Sequence, residues 1–154
     1  YSRPETGNHI LIGSEDPECD ERIFVDPDNW DENFTDQWQT QVLRQAQRYP
    51  DLPISSNVKG VVSLYDVTDD WIPIYDKSDL PGFYMAIGTS GNQFKNAPVA
   101  GVLMSELIEY CERGNDHDKE PLSINLKYIN KDINLNFYSR NRKINQESSM
   151  SVLG

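Results

Sequence analysis

GFYMAIGTSGNQFKNAP, residues 82–98, is the stretch on which the reading of this chain turns. Its unbroken apolar run from Phe83 to Ile87 has the character of a buried strand. The run stops at Gly88-Thr89-Ser90-Gly91, and helical character resumes at about Lys95. A strand that ends in glycine and feeds a helix sets a row of backbone N–H groups at the positive end of the helix macrodipole, a place that favours negative charge. The phosphate-gripping loop G-x-x-x-x-G-K-[ST] is one such device, and GTSGNQFK does not fit it. An ordinary strand-to-helix turn fits the local pattern equally well, and a lone lysine at a helix start is commonly just solvated.

Working outward, Val99, Val102, Leu103, Leu107 and Cys111 keep helical spacing up to Gly114, which serves as a C-cap. Ala100, Gly101 and Ser105 on that helix would permit close approach to a sheet. Before the loop, Val58 to Val67 is rich in β-branched residues and reads as a long strand with Gly60 as a bulge. Asp69-Asp70 makes a turn, and Trp71 to Tyr75 returns as a strand that Pro73 places at an edge. The polar turn Lys77 to Pro81 follows.

At the N-terminal end, Thr6-Gly7-Asn8 followed by His9-Ile10-Leu11-Ile12 reads as a hairpin. Residues 14–33 are acidic and proline-punctuated, hence loop. Thr35 starts a helix whose Trp38, Val42, Ala46 and Tyr49 share one face, and Pro50 and Pro53 end it. Beyond Gly114, Asn115 to Pro121 reads as a charged linker. Leu122, Ile124, Leu126 and Tyr128, then Ile133, Leu135 and Phe137, alternate as extended structure, and Ser139 to Gly154 reads as exposed coil. No internal repeat is visible.

The 154 residues amount to one domain's worth of chain, with 37% hydrophobic content. Fourteen basic against 25 acidic residues give a net charge of −11, which opposes phosphate backbones and anionic membrane surfaces. Nucleic acid and membrane are therefore not expected partners. Two cysteines, Cys19 and Cys111, make neither a disulfide framework nor a zinc site, and a reducing cytoplasm fits them. No apolar run approaches the roughly 20 residues of a membrane span, so the sequon at Asn33 carries no weight. The start at Tyr1, without a methionine, points to a fragment. His9 and His117 lack metal-like partners, and no Ser-His-Asp or Cys-His arrangement is legible. Asp66, Asp69 and Asp70 read as a charged turn rather than a cation site. Arg140, Arg142 and Lys143 read as a solubilising patch, with docking onto another domain as the functional alternative.

Residues 60–98, GVVSLYDVTDDWIPIYDKSDLPGFYMAIGTSGNQFKNAP, resemble the C-terminal portion of the glycine/D-amino-acid oxidase family of FAD-dependent oxidoreductases. The order of parts carries the resemblance: "LYD-x-T-x-D", a "P-I" strand, "LPGFY-x-A-x-G", an "SG" loop and "K-x-AP" at the helix start. YSRPETGNHILIG also looks like the family's substrate-domain strand, so the resemblance covers residues 1–113 and leaves 114–154 as an extended tail. It implies an α+β fold, a mostly antiparallel mixed sheet with two main helices. It also implies that Gly88, Thr89, Ser90, Gly91, Asn92 and Lys95 contact the flavin, with the Lys95 ammonium near the ring oxygens. A helix N-terminus and a lysine there would stabilise the negative charge that hydride transfer places on the ring.

The family's dinucleotide fold needs G-x-G-x-x-G, a spacing that the nine glycines here do not form. The expected partner is therefore an FAD-binding domain outside these residues, besides a small amine or amino-acid substrate. Ser63 stands where monomeric sarcosine oxidases carry the flavin-linked cysteine, which implies non-covalent FAD. Tyr65 stands where D-amino-acid and glycine oxidases place an arginine, which favours the sarcosine/dimethylglycine branch and puts Tyr65 on the substrate pocket. Leu11 stands where sarcosine oxidases carry a lysine that assists reaction with oxygen, so a dehydrogenase passing electrons elsewhere stands beside an oxidase as a reading. The rival reading is an acidic binding module that keeps the fold without the chemistry.

Overall fold

A computed structural model of the chain describes residues 1–13, 21–54 and 59–152. These residues form two compact units, Tyr1–Leu64 and Tyr65–Gly154. The division expected at 113/114 falls inside the second unit. The class is α+β, as expected: among the described residues there are two α-helices and six strands paired as three antiparallel hairpins.

In the first unit, β1 (Ser2–Glu5) pairs with β2 (His9–Ile12) through the loop at Thr6-Gly7-Asn8, with Arg3 opposite Leu11. Helix α1 (Asp36–Ala46) begins where the sequence places it, because the Thr35 side chain accepts from the Trp38 N–H at 3.2 Å and satisfies an orphan donor of the first turn. Its Gln45 amide donates to Ser2 Oγ at 3.3 Å, and the same Oγ meets the Tyr49 hydroxyl, so the helix is tied to the hairpin by polar contacts. The loop reading of 14–33 and the strand start at Val58 fall partly outside the described residues. From 59 to 67 no strand forms, contrary to expectation. β-branched residues favour a strand only where a neighbouring edge completes the ladder, and none is paired there. Gly60 is not a bulge: the Trp38 and Phe34 rings, themselves stacked at 4.1 Å, lie against its Cα, so that a Cβ would come within 2.8 Å of the indole.

The second unit holds the core. β3 (Ile74–Lys77) pairs with β4 (Tyr84–Ile87), with Tyr75 opposite Ala86. β3 begins after Pro73, three residues later than the sequence reading, since proline has no N–H to give the ladder. β4 is not buried as its apolarity suggested: Ile87 and Ala86 are exposed. A short 3₁₀ turn, Gln93–Asn96, leads into α2 (Ala97–Glu112). Leu103 and Leu107 of α2 pack with Tyr75 and with Leu135 into a fully buried cluster, each leucine contributing about 1.5–3 kcal/mol. Gly101 meets nothing within 4 Å, so the expected close approach at that position is absent.

The alternation expected after Leu122 forms extended structure: β5 (Ser123–Leu126) and β6 (Lys131–Asn134) make a hairpin whose Ile124 and Ile133 join the cluster, and a 3₁₀ turn, Leu135–Tyr138, closes it. The described residues beyond it are not a wholly exposed coil, since Ser139 is buried and Arg140 and Arg142 are bonded to Asp76 and Asp70. The supposed linker packs as well. His117 is buried, with its Nδ1 accepting from the Leu122 N–H at 3.2 Å. Nε2 therefore carries the proton of the neutral ring; it has no hydrogen-bond partner and stands 3.9 Å from Asp76 Oδ1. The buried Asp76 carboxylate takes Ser139 Oγ at 3.0 Å, the Arg140 N–H at 2.8 Å and the Arg140 guanidinium at 3.1 Å. Arg140 also binds Asp118 at 2.8 Å and Asp79 at 2.6 Å. A charge buried this far persists only when paired and hydrogen-bonded, which is why Arg140 is drawn into the fold, while Lys143 stays exposed.

Candidate functional site

The loop after β4 is shaped by backbone that turns left-handed three times, at Gly88 (φ 67°), Ser90 (φ 50°) and Gly91 (φ 73°). Two of these positions admit no side chain. A Cβ on Gly88 would fall 2.3 Å from Thr68 Cγ2, and one on Gly91 would fall 2.5 Å from Tyr65 Cε1. Asp66 fixes the loop from beneath: its carboxylate accepts the Thr89 N–H at 2.9 Å and the Thr89 hydroxyl, and its carbonyl accepts the Ser90 N–H at 3.0 Å. Burial would raise the Asp66 carboxyl, but the Thr89 hydroxyl and N–H outweigh it and lower it, so the loop's anchor stays ionised. Ser90 is fully buried, and its hydroxyl donates to Gly88 O at 3.1 Å.

The structure thus brings Tyr65, Gly88, Thr89, Ser90 and Gly91 together, and Tyr65 does so by its ring against Gly91. The amides of Thr89, Ser90 and Asn92 are engaged within the chain, the last donating to Thr89 O at 3.1 Å. Gly91 and Lys95 are exposed. Between them, Gln93 links the 3₁₀ turn to the core, accepting the Tyr75 hydroxyl at 2.9 Å and meeting the Asn92 side chain. Ser63 and Leu11 lie in the first unit, Ser63 exposed and Leu11 in β2.

Beyond the loop, Asn92 and Lys95 line an open cleft of about 590 Å³ whose other walls include Trp71, Phe137, Tyr138 and Glu147. Asp70 builds that side. It is buried, and its carboxylate receives Arg142 Nε at 3.0 Å and Nη2 at 2.6 Å, the Asn145 N–H at 3.2 Å and the Ile72 N–H at 3.2 Å. Burial would raise the Asp70 carboxyl; the hydrogen bonds from Arg142, then those from Asn145 and Ile72, outweigh it and hold it well below the usual carboxylate range. Trp71, the next residue, is held at φ 60°, a left-handed conformation that costs a bulky side chain and needs such surroundings.

Sequence reasoning found the loop and missed its supports. Asp66 and Asp70 passed as turn residues, and Arg142 as a surface charge. The available signal was the scarcity of cations: a basic cluster in a chain of charge −11 has many carboxylates to meet. Among the described residues no group of three or more His, Cys, Asp or Glu side chains is placed to hold a metal ion, and no helix is long and apolar enough to cross a membrane. Cys111 is a free, half-buried thiol whose pKa burial raises; Cys19 lies outside the described residues.

Compared with known protein families, residues 1–107 match the DAO family, described as FAD dependent oxidoreductase. The matched span contains the loop, Lys95 and most of α2. Comparisons with curated proteins and with solved structures returned no match.

Proposed function

The chain belongs to the DAO family of FAD-dependent oxidoreductases, and from that premise we propose that it is the part of such an enzyme that meets the flavin ring and the substrate, oxidising the C–N bond of an amino acid or N-methylated amino acid. The family implies FAD. The residues of the loop fit one edge of its ring through exposed Gly91 and the nearby Lys95 ammonium, while the Thr89 and Ser90 amides, engaged by Asp66, set the loop's shape instead. Bound FAD supplies the hydride acceptor, and the oxidised substrate leaves as an imine that water hydrolyses.

What the chain's own residues contribute is orientation and charge. Lys95 either faces negative charge at the ring edge or holds the substrate carboxylate, and Tyr65 supports the loop by its ring on Gly91. Ser63 has no thiol with which to bond the flavin, so the cofactor is not linked covalently at that position. The AMP half is held by a dinucleotide-binding fold outside these residues. Apolar side chains without cover support this: Phe94 is 99% exposed, and Val99 and Val102 of α2 are about half exposed. Leu11 offers no ammonium for reaction with oxygen, so the reduced enzyme passes its electrons to another acceptor.

The observation that carries this reading is the loop itself, left-handed at three residues, pinned by Asp66 and leading to an exposed lysine within the matched span. Anaerobic addition of N-methylglycine or N,N-dimethylglycine to the FAD-loaded protein bleaches the flavin absorption if the reading holds. Absence of bleaching with these and with unmethylated amino acids would contradict it. The missing G-x-G-x-x-G favours one rival, an acidic binding module on the same fold, for which no flavin response is expected under any condition.

A further inference from the structure

We propose that the cleft beside Lys95 binds a small zwitterion bearing a methylated or primary ammonium, and that Glu147, on a turn beyond the family match, is the residue that recognises the ammonium. This rests on the amino-acid reading above and assigns the amine end of the substrate to a residue the family match does not contain.

Three observations converge. First, the cleft's about 590 Å³ falls in the range of roughly 300–1,000 Å³ typical of small-molecule sites. Second, its lining pairs one cation, Lys95, with one anion, Glu147, and adds the rings of Trp71, Phe137 and Tyr138. A ligand with a carboxylate at one end and an ammonium at the other matches both charges, and aromatic faces attract alkylated ammonium groups in particular. One carboxylate among rings suits an organic cation, whereas a divalent metal ion needs several oxygens.

Third, Glu147 does not sit on a loose tail. Its N–H donates to Asn145 Oδ1 at 3.0 Å, the Asn145 N–H donates to Asp70 Oδ2 at 3.2 Å, and the Ser148 hydroxyl donates to the Asp70 carbonyl. Trp71 is bonded in sequence to that same Asp70. One buried aspartate, locked by Arg142, therefore positions both the segment that carries Glu147 and the adjoining Trp71.

The test is a titration of the full 154-residue chain with N,N-dimethylglycine and, separately, with 3-methylbutanoate, which replaces the amine nitrogen by carbon. Binding is followed by NMR at the amides of Lys95 and Glu147 and at the Trp71 indole. The zwitterion binds about fivefold or more tightly than its carbon analogue, and Glu147→Gln abolishes the preference while leaving 3-methylbutanoate within about twofold. Glu147 is exposed, so the variant keeps its fold, as far-UV circular dichroism verifies. Equal affinity for the two ligands, binding of neither, or a preference that survives in the variant overturns the proposal. Flavin takes no part in the titration, so the two readings fail separately. Bleaching of the holoprotein without the Glu147 effect removes this assignment alone; the Glu147 effect without bleaching removes the oxidoreductase reading alone.

Discussion

Replacing Arg142 with methionine keeps an unbranched apolar stem and removes the guanidinium, leaving the buried Asp70 carboxylate with only its neutral donors. The variant loses both guanidinium contacts to Asp70, at 3.0 and 2.6 Å, together with the hydrogen bonds to Ile72 O at 2.6 Å and Ser139 O at 3.0 Å. Removing one partner of a buried pair costs about 3–5 kcal/mol. The Ile72 and Asn145 N–H groups still face Asp70, so the expected loss lies at the lower end, about 3 kcal/mol. With a urea dependence of about 1–3 kcal/mol per molar, the unfolding midpoint falls by about 1–3 M. Asp70→Asn in the same background completes a double-mutant cycle, and the two losses fall short of additivity by about 1.5–3 kcal/mol, because each single change already breaks the shared contact. Urea titrations followed by circular dichroism supply all four corners. A loss below about 0.5 kcal/mol for Arg142→Met, the size of a surface pair, would refute the reasoning. So would additivity within that margin.

Acid should act on the same pair. The folded Asp70 carboxyl is depressed, so its stabilisation is complete above the unfolded value of about 3.9 and is lost as pH falls from there toward the folded value; Arg142→Met flattens this part of the urea midpoint's pH dependence. His117 is shifted down by burial, against the pull of Asp76, so the unfolded chain protonates first. Stability is therefore full above about pH 6.5 and declines below it, and His117→Gln removes that decline. Gly91→Ala meets both a left-handed backbone and the Tyr65 ring, so it costs more than the about 1–2 kcal/mol of the backbone term alone, measured by the same urea titration. Leu107→Ala, at a fully buried position, costs about 2–5 kcal/mol.

Local signals were legible and pairings across the chain were not. Thr35 announces α1 because its side chain caps that helix, and the apolar spacing through Leu103, Leu107 and Cys111 announces α2 because those residues pack on the core, whereas Val99 and Val102 of the same pattern stay about half exposed. The alternation at Ile124 and Ile133 gives the last hairpin for the same reason. Val58 to Val67 misleads, since strand propensity describes a residue and a strand requires a neighbour. Phe83 to Ile87 misleads about burial: an apolar run tells that a strand forms, while the cover over Ile87 is a matter of what packs there. The candidate loop was readable from its glycines, yet Asp66 beneath it, and the clasp of Asp70 on Arg142 some 70 residues on, follow from no spacing in the sequence.

The central claim is that the loop at 88–95 meets the ring of a bound FAD, and the visible absorption spectrum of the native protein, taken before and after acid precipitation, tests it most directly. Flavin bands that pass into the supernatant are the predicted result, on the proposal that FAD is held without a covalent bond at Ser63. Bands that stay with the precipitate would contradict non-covalent binding, and a spectrum without flavin even after FAD is added would contradict the claim itself.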